Sequence, residues 1–205
     1  MFFTVEKPVE VQQKILGSAF ITTILPLKTQ SDFESFLSES RKKHFKANHH
    51  GQAYRIGVEQ IQEFSSDDGE PSGSTGLPML NALKSAQLIN VGAVVIRYFG
   101  GTKLGIRGLI DAYSSSVRQA IDATELIQME LREVFELQFP YEQQATINTL
   151  FHPLSIHIET TEYQEQVKMV VSIAPEAASK LTDAFSAVEH LGIQTKKNGL
   201  QLLKK

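Results

Sequence analysis

The chain has 205 residues, 41% of them apolar, ample for a core, yet its longest near-uniform apolar run, Val91–Ile96, falls far short of the ~20 residues of a membrane-spanning helix. There is no cysteine, which excludes disulfides, thiolate nucleophiles and sulfur-ligated zinc and fits a reducing cytoplasm; the first residues carry neither a basic nor a continuous apolar region, so no secretory signal is expected. A net charge of −3, from 20 Lys+Arg against 23 Asp+Glu, gives no bulk attraction to phosphate polymers to rely on, so a nucleic-acid contact would need a local basic surface.

In chain order, Ser18–Leu25 is a β-branched run closed by Pro26 and predicts a strand. Ser31-Asp32-Phe33-Glu34 has the spacing of a capping box and predicts a helix start, with Phe33, Phe36, Leu37 and Phe45 as its buried stripe. The basic stretch from Arg41 to His50 fits either phosphate contacts or complementation of that helix's dipole. Gln52–Val58 reads as a short strand, and residues 59–76 as a polar loop without a period. Leu77, Leu80, Leu83 and Leu88 mark a helix that tolerates Pro78 only in its first turn. Val91–Phe99 is apolar on both faces until Arg97, as a central strand is. Ile110, Tyr113, Val117, Ala120 and Ile121 then form a helical stripe, and residues 124–131 read as a hinge.

Beyond the hinge the periods are clean. Strands are predicted at Leu131–Phe139, Ser155–Thr161, Val167–Ile173 and Ile193–Lys196, with helices over Tyr141–Phe151 and from Ala178 to a left-handed cap at Gly192. The order β-α-β-β-α-β is the split βαβ, or ferredoxin-like, plan. Its uncovered sheet face would carry His157, Glu159, Lys168 and Ser172, a surface open to a protein partner.

Two loops carry more chemistry than a connection needs. Ser65–Gly76 holds Asp67, Asp68 and Glu70 with Gly69, Ser72, Gly73 and several hydroxyls just before a helix. Such a stretch suits an anion at the helix start, a Mg²⁺ held by the carboxylates, ordinary turns, or acids paired with Arg55, Arg97 or Arg107. Arg97-Tyr98-Phe99-Gly100-Gly101-Thr102-Lys103-Leu104-Gly105-Ile106-Arg107-Gly108 joins the central strand to a helix and places two cations on a glycine loop. It suits phosphate or carboxylate, or merely a tight crossing, and matches neither the Walker A nor the G-x-G-x-x-G pattern. No H-E-x-x-H and no G-x-S-x-G occurs, so neither a metal centre nor a serine triad is expected.

Taken in order, Tyr54-Arg55-Ile56-Gly57, then Ser66–Gly73 with Pro78-Met79-Leu80, then Arg97–Gly101 with Lys103-Leu104-Gly105 and Gly108-Leu109 resemble the motifs of the YigZ/IMPACT family in its bacterial two-domain form. The resemblance implies an α+β protein. Residues 1–128 would form an IMPACT-like domain folded like the second domain of a small-subunit ribosomal protein and the fourth domain of elongation factor G. Residues 131–205 would be ferredoxin-like. Eukaryotic relatives act in translational control by competing for an activator of the kinase that phosphorylates an initiation factor, and no secure enzymatic activity attaches to the family. The chain departs from the family where Gly17-Ser18-Ala19-Phe20 lacks a usual basic residue and where Arg107 adds one, either for phosphate or for pairing with Asp67, Asp68 or Glu70.

The expectation is therefore a cytoplasmic, non-enzymatic binding protein without cofactor, whose partner is RNA, the ribosome or a translation-associated protein. Its binding residues would be Arg55, Asp67, Asp68, Gly69, Glu70, Ser72 and Gly73 with Arg97, Tyr98, Gly100, Gly101, Lys103, Gly105, Arg107 and Gly108. The alternative is a Mg²⁺-assisted hydrolase or phosphoryl-transfer enzyme built on Asp67, Asp68 and Glu70.

Overall fold

A computed structural model describes residues 2–205 and shows an α+β chain with five α-helices and ten strands in two sheets. Two compact units divide it: one runs to Met129 and includes Lys204–Lys205, and the other is Glu130–Leu203.

In the first unit, β1 (Phe2–Val5) precedes a sheet of β2 (Val9–Ile15), β3 (Ser18–Pro26), β4 (His49–Ile56), β5 (Gln62–Ser66) and β6 (Val91–Tyr98), ordered β2-β3-β6-β4-β5 and antiparallel throughout. Helices cover both faces, which is why β6 is apolar on both. α2 (Gly76–Ser85) and α3 (Gly105–Asp122) bury Met79, Leu83, Tyr113 and Val117 against Phe20, Ile24, Ala93 and Val95. On the opposite face Phe33 of α1 (Gln30–Lys43) packs with Leu27, Tyr54, Val94 and Ile96. Pro78 sits in the first turn of α2, as its missing N–H requires.

Several local expectations change. The capping box of α1 lies two residues upstream of Ser31: Thr29 Oγ1 accepts the Asp32 amide at 3.2 Å and Asp32 Oδ2 accepts the Thr29 amide at 2.8 Å. Asp32 wins because its carboxylate also takes the Lys28 amide at 3.0 Å, satisfying a second donor that Glu34 does not. Phe45 lies beyond the end of α1 and is 75% exposed under the Lys46 ammonium, so it is no part of the stripe. Part of the predicted polar loop is β5, an edge strand with no buried residue and hence no period to read. β2 alternates, but Gln13 interrupts its apolar set; that amide is donated to Ser116 Oγ on α3. The expected hinge, residues 124–131, contains the boundary between the two units at Met129 and Glu130, and from Leu126 onward it is strand, β7 (Leu126–Phe139).

The second unit holds most of β7, then α4 (Gln144–Phe151), β8 (His157–Tyr163), β9 (Val167–Ile173), α5 (Ala178–Val188) and β10 (Gln194–Lys204), with strand order β10-β7-β9-β8. This is the ferredoxin-like arrangement read from the periods. Its core gathers Phe135, Leu137, Phe139, Ile147, Met169, Val171, Leu181 and Phe185, and Gly192 caps at φ 78°. β10 is longer than predicted; Gly199, at φ +83°, hid the continuation. Ser172 is fully buried, not surface: its Oγ accepts Arg132 Nε at 2.7 Å and donates to Glu159 at 2.6 Å.

Candidate functional site

The acidic loop closes on itself through Asp67. Its carboxylate accepts the backbone amides of Gly73 (2.8 Å), Thr75 (2.9 Å) and Gly76 (2.8 Å), fixing the approach to α2. Burial pushes this carboxyl up, but the three amides outweigh burial and hold it below its ordinary range. The turn also demands glycine at 76, where a Cβ would sit 2.5 Å from the Ser66 nitrogen. Asp68 faces another way: its carboxylate accepts the His50 amide at 2.7 Å and pairs with Arg41, while its carbonyl accepts His49 Nδ1–H at 2.9 Å.

Glu70 joins the two loops. Its side chain is 5% exposed, and Oε1 accepts Arg97 Nη1–H at 2.7 Å and the Tyr113 hydroxyl at 2.9 Å; His49 Nε2 lies 3.8 Å from Oε2. One carboxylate thereby ties the first loop to β6 and to α3. Burial, reinforced by the Glu70 charge, holds the Tyr113 phenol far above its ordinary range. Arg97 lies between two aromatic rings, its guanidinium carbon 5.6 Å from the centroids of both Phe20 and Phe99, and donates from Nη2 to Ser18 Oγ at 3.3 Å. Ser18 Oγ also accepts the Gly100 amide at 3.2 Å. A Cβ on Gly100 would stand 1.9 Å from the Gly17 carbonyl carbon, so only glycine lets these backbones meet. Ser18 is thus an internal anchor for the second loop.

Between the loops lies a cavity of about 240 Å³ lined by Glu70, Pro71, Arg97, Phe99, Lys103, Leu104, Gly105, Ile106 and Leu109. Two features differ from a polar cradle. The internal acid and guanidinium are spent on each other, and most of the remaining lining is apolar, with Phe99 47% and Ile106 60% exposed at the rim. Lys103 and Arg107 are exposed, and among the described residues neither joins an ion pair, so Arg107 does not pair with Asp67, Asp68 or Glu70.

Other predicted residues stand apart from this cavity. Arg55 is buried elsewhere on β4, donating to Glu63 at 3.0 Å and to the Leu88 carbonyl at 2.6 Å. The Tyr98 hydroxyl is hydrogen-bonded to His44 Nδ1 at 3.0 Å, toward the α1 side. Ser72 is exposed, while Gly69, Gly73, Gly101 and Gly105 take the positive φ that the bends of the two loops require. Gly108 lies under Leu104, where a Cβ would make a 3.1 Å contact. The three loop acids turn to three separate sets of partners, and among the described residues no cluster of three His, Asp or Glu side chains is placed to hold a metal ion. Tyr113 and His49 were missed as members of this network; the signal available was a hydroxylated aromatic in an otherwise aliphatic stripe.

The model for the Impact N-terminal domain family matches residues 16–121, a span that contains both loops. The IMPACT family member YvyE of Bacillus subtilis (strain 168) is 33% identical over 185 residues, 90% of this chain and 83% of its own. An IMPACT family member of Haemophilus influenzae is 34% identical over 181 residues, 86% of this chain and 84% of its own. A crystal structure of a hypothetical protein, 29% identical, superposes with a TM-score of 0.63 and covers 100% of this chain and 97% of its own.

Proposed function

The chain belongs to the IMPACT family, and on that premise we propose that it is a binding protein that acts near translation, engaging RNA, the ribosome or a translation-associated protein through the surface shared by its two glycine-bearing loops. The observation that carries this reading is the Glu70–Arg97–Tyr113 tie. It commits the acids to holding the loops, while Lys103 lines the concavity unpaired and Arg107, just beyond Ile106 in the chain, is exposed, which is the division of labour of a docking surface. Carboxylates that each accept two or more internal bonds are poorly disposed to gather around a catalytic cation.

Co-sedimentation of the full chain with ribosomal fractions tests the reading. Retention is expected at low salt, falling severalfold by moderate salt and weakened in the Lys103→Ala/Arg107→Ala variant. Absence of co-sedimentation, or retention indifferent to both salt and the two substitutions, overturns it.

A further inference from the structure

The same cavity says more about what enters it, on the assumption that this surface is where a partner binds. Its volume, about 240 Å³, is below the ~300 Å³ at which pockets for drug-sized ligands begin, yet above the ~150 Å³ cavity that accepts a benzene ring. One bulky apolar side chain fills it. Phe99, Leu104, Ile106 and Leu109 supply apolar walls, Arg97 is already neutralised by Glu70, and the one unpaired charge in the lining is Lys103, with Arg107 exposed at the position after Ile106. Ile106 is 60% exposed, and Phe99, set against the Arg97 guanidinium, still leaves 47% of its surface in water, a cost that a covering partner would relieve.

We propose that this cavity docks a short acidic peptide segment, a single aromatic or large aliphatic side chain inserting between Phe99 and Ile106 while neighbouring carboxylates meet Lys103 and Arg107. The charge pattern favours a peptide over nucleic acid. A strand of RNA is held by a basic groove that follows many phosphates, with bases stacked on several aromatics. Here the lining offers one unpaired cation, Lys103, and one exposed ring, with Arg107 exposed next to Ile106 in sequence, on a chain of net charge −3. An apolar anchor in a pocket, rimmed by weaker charged contacts, is the ordinary anatomy of a peptide hot spot.

Fluorescence anisotropy with the full chain and a labelled heptapeptide, Asp-Glu-Asp-Phe-Glu-Asp-Glu, tests this. Saturable binding is expected at roughly 10–100 μM, weakened about tenfold when the peptide's Phe is replaced by Ser. The Ile106→Asp variant should lose about as much; an acid in the first turn of α3 favours that helix, so its thermal midpoint should not fall. Lys103→Ala/Arg107→Ala should weaken binding a few-fold and flatten its salt dependence. The proposal is overturned by any of four binding results: tighter binding of a lysine-substituted heptapeptide, tighter binding of a labelled oligouridylate, no saturation below about 1 mM, or full binding by a folded Ile106→Asp variant. A dimer in sedimentation velocity that Ile106→Asp makes monomeric overturns it too, because a second copy then covers the patch. Failure here with ribosomal co-sedimentation intact removes only the peptide; loss of co-sedimentation with peptide binding intact removes only the link to translation.

Discussion

The two glycine-bearing loops both carry several charges, one acidic and one basic, and behave as opposites. Residues 65–76 spend Asp67, Asp68 and Glu70 on the amides of 73, 75 and 76, on His50 and Arg41, and on Arg97 and Tyr113. Residues 97–108 spend only Arg97 that way and leave Lys103, Ile106, Arg107 and half of Phe99 in solvent. A charged, glycine-rich stretch is therefore no guide to recognition by itself. What separates scaffold from contact surface is whether its polar groups already have partners.

Breaking the scaffold side should cost most. Glu70→Ala strips Arg97 of its buried partner, and urea unfolding should show a loss of about 3–5 kcal/mol, with Glu70→Gln losing less because it can still accept both bonds. A loss below about 1 kcal/mol would mean the loops do not depend on this tie. Asp67→Ala should cost about 2 kcal/mol by orphaning three amides. The same group links stability to acid: its folded pKa lies below the unfolded value near 3.9, so its contribution is whole above about pH 4 and lost as pH falls through the folded pKa.

His50 sharpens the contrast at milder pH. Burial, helped by the Arg41 charge, lowers its pKa against the raising effect of Asp68. The unfolded chain therefore binds the proton first, and stability declines as pH drops from about 6.5 toward the folded pKa. His50→Gln should flatten that part of a melting-temperature profile; an unchanged slope would assign it to another group. Smallest of all, Lys103→Ala/Arg107→Ala should shift unfolding by less than about 0.5 kcal/mol while changing binding, the reverse of Asp67→Ala.

Much of this was legible beforehand where one face of an element is buried. β6 announced itself as central because helices cover it on both sides, and most of the second unit followed its periods, except that β8 buries none of its residues and leaves Ile158 54% exposed. Legibility failed where physics removes the pattern: β5 buries nothing, Gln13 breaks the alternation of β2, and Gly199 interrupts β10. At the site, the sequence offered three arginines to three acids and left the pairing open. Contacts far apart in the chain decided two pairs, Glu70 to Arg97 and Asp68 to Arg41, and the β4–β5 pairing decided the third, Arg55 to Glu63. The apolar character of the cavity was hidden for a related reason, since exposed Phe99 and Ile106 are spelled like core residues.

The Glu70 tie has an evolutionary corollary. Because the base of the concavity is locked by groups that face inward, substitutions at the exposed positions 103, 106 and 107 should cost the fold little. On the proposed reading, lineages that inherit this frame would exchange one guest for another by rewriting three letters, without relearning how to fold.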